Sequence, residues 1–267
     1  MKTEEYLKHF CKLMDKFSYK YSKWDIWNDF LYMSAISLAN SVPVYEREER
    51  EKQYLKIINK YNKEEQSTFI EMFRVVIEAL EYKSGQDFLG SLYHRLNLQQ
   101  HQKGQFFTPY HIAEFMSQVN FAGDDLEDDL AEKGYISVSD PACGAGVMLI
   151  AFANTCIEHK LNYQQKVLFV AQDIDKTAVL MCYIQLALLG CNAIVICGDS
   201  LAKPGLHPDN DVWITPFYYL NQWRFNDFFG TESETKSEEE EPCSLINEVD
   251  IKMDYKEGKN GQLIFNL

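Results

Sequence analysis

The chain has 267 residues, of which 46% are hydrophobic, enough for one large domain or two small ones with a real core. A net charge of −14 and a pI near 4.9 argue against a surface that grips nucleic acid by its own charge, and the lack of any long uncharged apolar run excludes a membrane-spanning helix. Seven cysteines, an odd number with no CxxC pair, exclude a disulfide framework and a zinc site and fit a reducing, cytoplasmic setting.

The N-terminus mixes charges of both signs and has no apolar core of a signal peptide. Tyr6, Phe10, Leu13, Met14 and Phe17 recur at helical spacing, as do Ile26, Phe30, Leu31, Met33 and Ile36. Residues 46–61 and 66–82 read as two more helices, and another begins at 87–93. Trp24 and Trp27 read as packing residues rather than a platform for stacking bases. The turn Gly104-Gln105-Phe106-Phe107-Thr108-Pro109 follows. Thr108 suits an N-cap and Pro109 a first helical position, opening a helix over 110–119.

Residues 124–132 are an acidic run of about −6, and residues 231–254 add about −7, so the rest is close to neutral. If the substrate is DNA, a partner subunit is expected to supply much of the phosphate contact.

Tyr135, Ile136 and Val138 then read as a buried strand. It breaks at Asp140-Pro141-Ala142-Cys143-Gly144-Ala145-Gly146 and gives way to an apolar helix from Val147. Strand, glycine turn and helix make the first unit of a nucleotide-binding α/β sheet. Gly144 and Gly146 permit the turn, and the amides at the helix start favour a carboxylate or phosphate. A second strand over 166–171 ends at Asp173, where a ribose diol would be held, while Asp175 reads as the cap of the next helix, 177–189. A third strand, 193–197, ends at Gly198-Asp199-Ser200, placing another carboxylate on the same sheet edge. Residues 211–214 read as a fourth strand leading into Thr215-Pro216-Phe217. Residues 231–241 read as a solvated loop, and 261–265 as a terminal strand added to the sheet edge.

In order, GQFFTP at 104–109, DPACGAG at 140–146, Asp173 and Asp199 resemble the adenine-N6 DNA methyltransferases, in particular the modification subunits of type I restriction systems. The resemblance implies an α/β, Rossmann-like, S-adenosylmethionine-dependent methyltransferase domain over 104–230. An α-helical domain over 1–103 would precede it, and an acidic loop with a strand over 231–267 would follow. It implies a methionine end held by Phe107, Thr108, Pro109, Asp140, Ala142, Gly144 and Gly146. Asp173 would hold the ribose and Asp199 would face the adenine, with Ile174 and Ser200 beside them. DNA would be the substrate, alongside a specificity or restriction subunit.

The chain departs from the family at the catalytic motif. Where the family places Asn-Pro-Pro-Phe or Asn-Pro-Pro-Tyr, this sequence reads Ile214-Thr215-Pro216-Phe217. The asparagine position holds Ile214, which accepts no hydrogen bond, or Thr215 if the alignment slides by one, with Pro216 following. The resemblance implies that Phe217 would stack on the flipped base. Threonine offers a hydroxyl but no amide. Three readings therefore stand: an active DNA methyltransferase, a cofactor-binding subunit or regulator that has lost catalysis, and, more distantly, a small-molecule methyltransferase.

Overall fold

The computed structural model describes residues 2–17, 19–42, 47–98, 108–122, 125–221, 255–257 and 263–265. Among the described residues five helices come first: α1 (Thr3–Asp15), α2 (Lys23–Ala39), α3 (Arg47–Ile58), α4 (Lys63–Tyr82) and α5 (Phe88–Arg95). Their starts are written locally. Ser22 caps α2, Asn62 and Glu65 form a reciprocal capping box on α4, and Asp87 caps α5. Trp27 is fully buried against Phe10, Phe30 and Tyr93, as its place on an apolar helix face predicts.

Next come α6 (Tyr110–Phe121), α7 (Asp125–Glu132), β1 (Ile136–Asp140), α8 (Val147–Glu158), α9 (Tyr163–Lys166), β2 (Val167–Asp173), α10 (Lys176–Leu188), β3 (Asn192–Cys197), β4 (Asp211–Ile214) and α11 (Pro216–Asn221). The acidic run at 124–132, read only as charge, largely forms helix α7. Strands β1, β2 and β3 are parallel, in the order β1-β2-β3-β4. Val167, Phe169 and Ala171 of β2 and Ala193 and Val195 of β3 join the core on the side of α8 and α10. The alternate residues Leu168, Ile194 and Ile196 gather with Tyr218 of α11 on the other face.

The strand pattern assigns no direction to β4, and the terminal strand differs from expectation. β4 runs antiparallel to β3, with Ile194 opposite Ile214 and Cys197 opposite Asp211. It is held there by the helices: the Arg50 guanidinium and the Lys176 ammonium each lie over the Trp213 ring, and Arg50 donates to the Val212 carbonyl at 3.1 Å. The terminal strand β6 (Leu263–Phe265) pairs with β5 (Tyr255–Glu257) in a separate two-stranded sheet, not with the edge of the main one. A strand pattern states that a segment pairs, but its partner is a non-local choice.

Helix α10 links the layers. Every residue from Thr177 to Ala187 is buried, because the sheet lies on one side and α2, α4 and α5 on the other. One continuous hydrophobic cluster therefore runs from Tyr6 to Trp213. The boundaries expected at 103 and 230 fall outside the described residues, as do residues 231–241. Among the described residues, no helix is long and apolar enough to cross a membrane, and no group of acidic, histidine and cysteine side chains is placed to hold a metal ion.

Candidate functional site at the strand ends

The parallel strands end together, and their loops are tied to one another by backbone bonds. Past β1, the Asp140 carboxylate accepts the Ala142 N–H at 3.1 Å. The chain then crosses the end of β2: the Cys143 N–H donates to the Gln172 carbonyl at 3.0 Å, and the Gly144 N–H to Asp173 Oδ2 at 2.9 Å. The Gly146 N–H closes the turn on the Cys143 carbonyl at 2.8 Å. Gly144 (φ 54°) and Gly146 (φ 92°) occupy the left-handed region that side chains resist. At Gly146 a Cβ would also lie 2.8 Å from Cys182 Sγ, so glycine here permits close packing on α10. Gly146 is the N-cap of α8 and offers no side-chain cap, which leaves the first amides of α8 for an external acceptor.

Asp173 stands at the centre. Its Oδ2 takes the Gly144 amide and its Oδ1 the Asp175 amide, each at 2.9 Å. Two backbone bonds leave lone pairs on both oxygens for hydroxyl donors. Asp140 is close by: burial raises its carboxyl above the usual range, the Ala142 amide opposes this, and the Asp173 charge adds to the rise. Ile174, 72% exposed, presents an apolar side chain next to Asp173. Asp175 caps α10 through the Thr177 and Ala178 amides, the cap expected from sequence.

The third strand end joins through the Gly198 N–H, which donates to the Asp173 carbonyl at 3.0 Å. Asp199 follows, half-exposed, with Ser200 beside it. Asp199 Oδ1 accepts the Leu201 and Ala202 amides, and these bonds hold the carboxyl below its usual range. Its other oxygen is not used by those bonds.

Thr108 and Pro109 reach the same end of the molecule by helix packing. Helices α6 and α8 run parallel. Ala113 packs on Val147 and Ala151, and Ser117 donates to Thr155, 38 residues on. Phe121 stacks on His159 at the same offset. Carried back to the helix starts, that offset sets Thr108 level with Gly146. Phe107 lies outside the described residues.

Thr215, Pro216 and Phe217 lie elsewhere, which corrects their expected role. Because β4 is antiparallel, its C-terminal end meets the start of β3, at the sheet edge opposite the glycine turn. Thr215 is fully buried. Its hydroxyl donates to the Cys191 carbonyl at 2.7 Å and accepts the Ala193 amide at 2.8 Å. Pro216 is the first residue of α11, and Phe217, 2% exposed, packs against Gly190. These residues fasten β4 to β3 and present no face to a base. Sequence reasoning missed Gln185, whose buried amide reaches the glycine turn; the only hint was one amide in the apolar run 178–189.

A profile of the N-6 DNA Methylase family matches residues 84–245, more than half of the chain. A solved structure, the methyltransferase subunit of the type I restriction-modification system from Streptococcus thermophilus, aligns at 14% identity with a TM-score of 0.41. That alignment covers 76% of this chain and 60% of the other, so this chain spans about three-fifths of that subunit's length. No curated protein matches. With its glycine turn, paired strand-end carboxylates and matched profile, the chain belongs to the N-6 DNA methylase family.

Proposed function

We propose that the strand-end cradle binds S-adenosylmethionine and that the chain is the cofactor-binding part of a DNA adenine-N6 methyltransferase. The observation that carries this is the junction at Asp173, where the loops after β1, β2 and β3 are joined by hydrogen bonds beside an α8 N-terminus with no side-chain cap. The residues suit the group. The α8 amides fit a carboxylate, Asp173 has lone pairs left for ribose hydroxyls, and Asp199 has an oxygen left for an exocyclic amine. Thr108 and Pro109 would close the methionine end, while Ala142 and Gly144 line it with backbone. Ile174 would cover an adenine face, with Ser200 at its rim. Bound there, the cofactor would supply an electrophilic methyl group. The chain's own part is to orient it and exclude water.

A second reading has its own observation. With Thr215 and Phe217 at the far edge of the sheet, the acceptors for the adenine amine are not those residues. The chain would then serve as a cofactor-binding subunit whose catalytic acceptors and phosphate contacts come from a partner in a restriction-modification assembly, in keeping with its acidity.

Calorimetry with S-adenosylmethionine tests the site: binding should weaken at least tenfold in Asp173→Ala, and equal affinity in both proteins would remove Asp173 from it. Radiolabelled methyl transfer to mixed-sequence DNA by the chain alone separates the two readings, since incorporation would reject the second.

A further inference from the structure

Gln185 is fully buried in α10. An amide without partners there would be costly, and all its bonding groups are used. Nε2 donates to the Ala145 carbonyl and to Asp87 Oδ1, both at 2.9 Å, and Oε1 accepts the Leu89 N–H at 3.0 Å. The partners fix the orientation, because a backbone N–H only donates and a carbonyl only accepts. Asp87 Oδ1 in turn accepts the Gly90 N–H at 2.8 Å as the cap of α5. One side chain thus joins the start of α5, the middle of α10 and the glycine turn.

We propose that Gln185 is a positioning residue for the cofactor cradle, holding the Ala145–Gly146 peptide in the orientation that binding requires. This rests on the reading of the cradle as an S-adenosylmethionine site. The peptide is planar, so fixing the Ala145 carbonyl fixes the Gly146 N–H, which closes the turn on Cys143. Glycines at positive φ flank Ala145 on both sides, so this is where the backbone rotates most freely. Without the Gln185 donor, the turn samples other orientations, and ligand binding has to order it.

The test compares Gln185→Met, close in shape but without hydrogen bonds, with Gln185→Glu, which keeps the acceptor for Leu89 and loses the amide donors. Asn192→Leu serves as a control for lost stability. Asn192 is buried and bonds the Gln164 and Val167 carbonyls, far from the turn. Hydrogen exchange on the ligand-free proteins should show residues 143–147 exchanging at least tenfold faster in the Gln185 variants and unchanged in Asn192→Leu. Calorimetry should show the Kd for S-adenosylmethionine raised at least tenfold in the Gln185 variants only. Wild-type exchange at the turn in a folded Gln185 variant, or an equal effect of Asn192→Leu, would overturn the proposal. If the wild-type protein does not bind S-adenosylmethionine, the cofactor reading fails, and exchange still decides whether Gln185 holds the turn.

Discussion

Asp87, Asp173 and Thr215 show how a side chain's surroundings assign its job. Asp173 accepts two amides at a half-open strand end and keeps lone pairs for a ligand. Thr215, also polar and also at a strand end, has its hydroxyl consumed by β3. Thr215→Val would leave the Ala193 amide and Cys191 carbonyl short of a buried partner, so unfolding in urea should show a loss of about 1–3 kcal/mol. Cofactor affinity in the folded variant should not change, and a weakened Kd there would return Thr215 to the site. For Asp87, burial raises the carboxyl above its ordinary value of 3.8, and bonds from Gln185 and the Gly90 amide oppose the rise. The folded chain thus holds this proton more tightly than the unfolded chain. Its contribution to stability is complete below the ordinary value and is lost as pH rises through the raised one. Asparagine keeps the cap but cannot titrate, so wild-type stability relative to Asp87→Asn should fall as pH rises. A constant difference between the two across that range would refute this.

At the scale of elements, helices were the most legible part, because caps and apolar spacing are local. Asp175 before Thr177 marks a helix start that the structure keeps. The helix read from 66 begins earlier, at Lys63, where Asn62 and Glu65 form the capping box, and α6 starts with Pro109, not Thr108, at its N-cap. Helix α6 adds what spacing alone does not say. Its inward side is the narrow one, Ala113 and Ser117 against α8, while Ile112, Phe115, Met116 and Val119 remain exposed. A small residue at the contact lets the two helices lie close enough to bring Thr108 level with Gly146. Ala113→Leu should overpack this contact and lower stability by about 1–3 kcal/mol. Phe115→Gln, on the open side, should leave the melting temperature nearly unchanged. Equal losses in the two variants would mean that α6 does not pack through Ala113.

For the whole molecule, the division into a helical and an α/β part is softened by α10, which serves as core to both. The elements that make the cradle were readable in the chain itself: a β-branched run, a glycine turn, an apolar helix, and carboxylates after the second and third strands. Each is set by residues within a few positions of one another, through backbone freedom, capping and periodicity. The direction of β4, the burial of Thr215 and the reach of Gln185 to Ala145 were decided only by tertiary structure. They depend on partners 22 to 40 residues away or more, whose choice is made by the packing of the whole core and not by local preference.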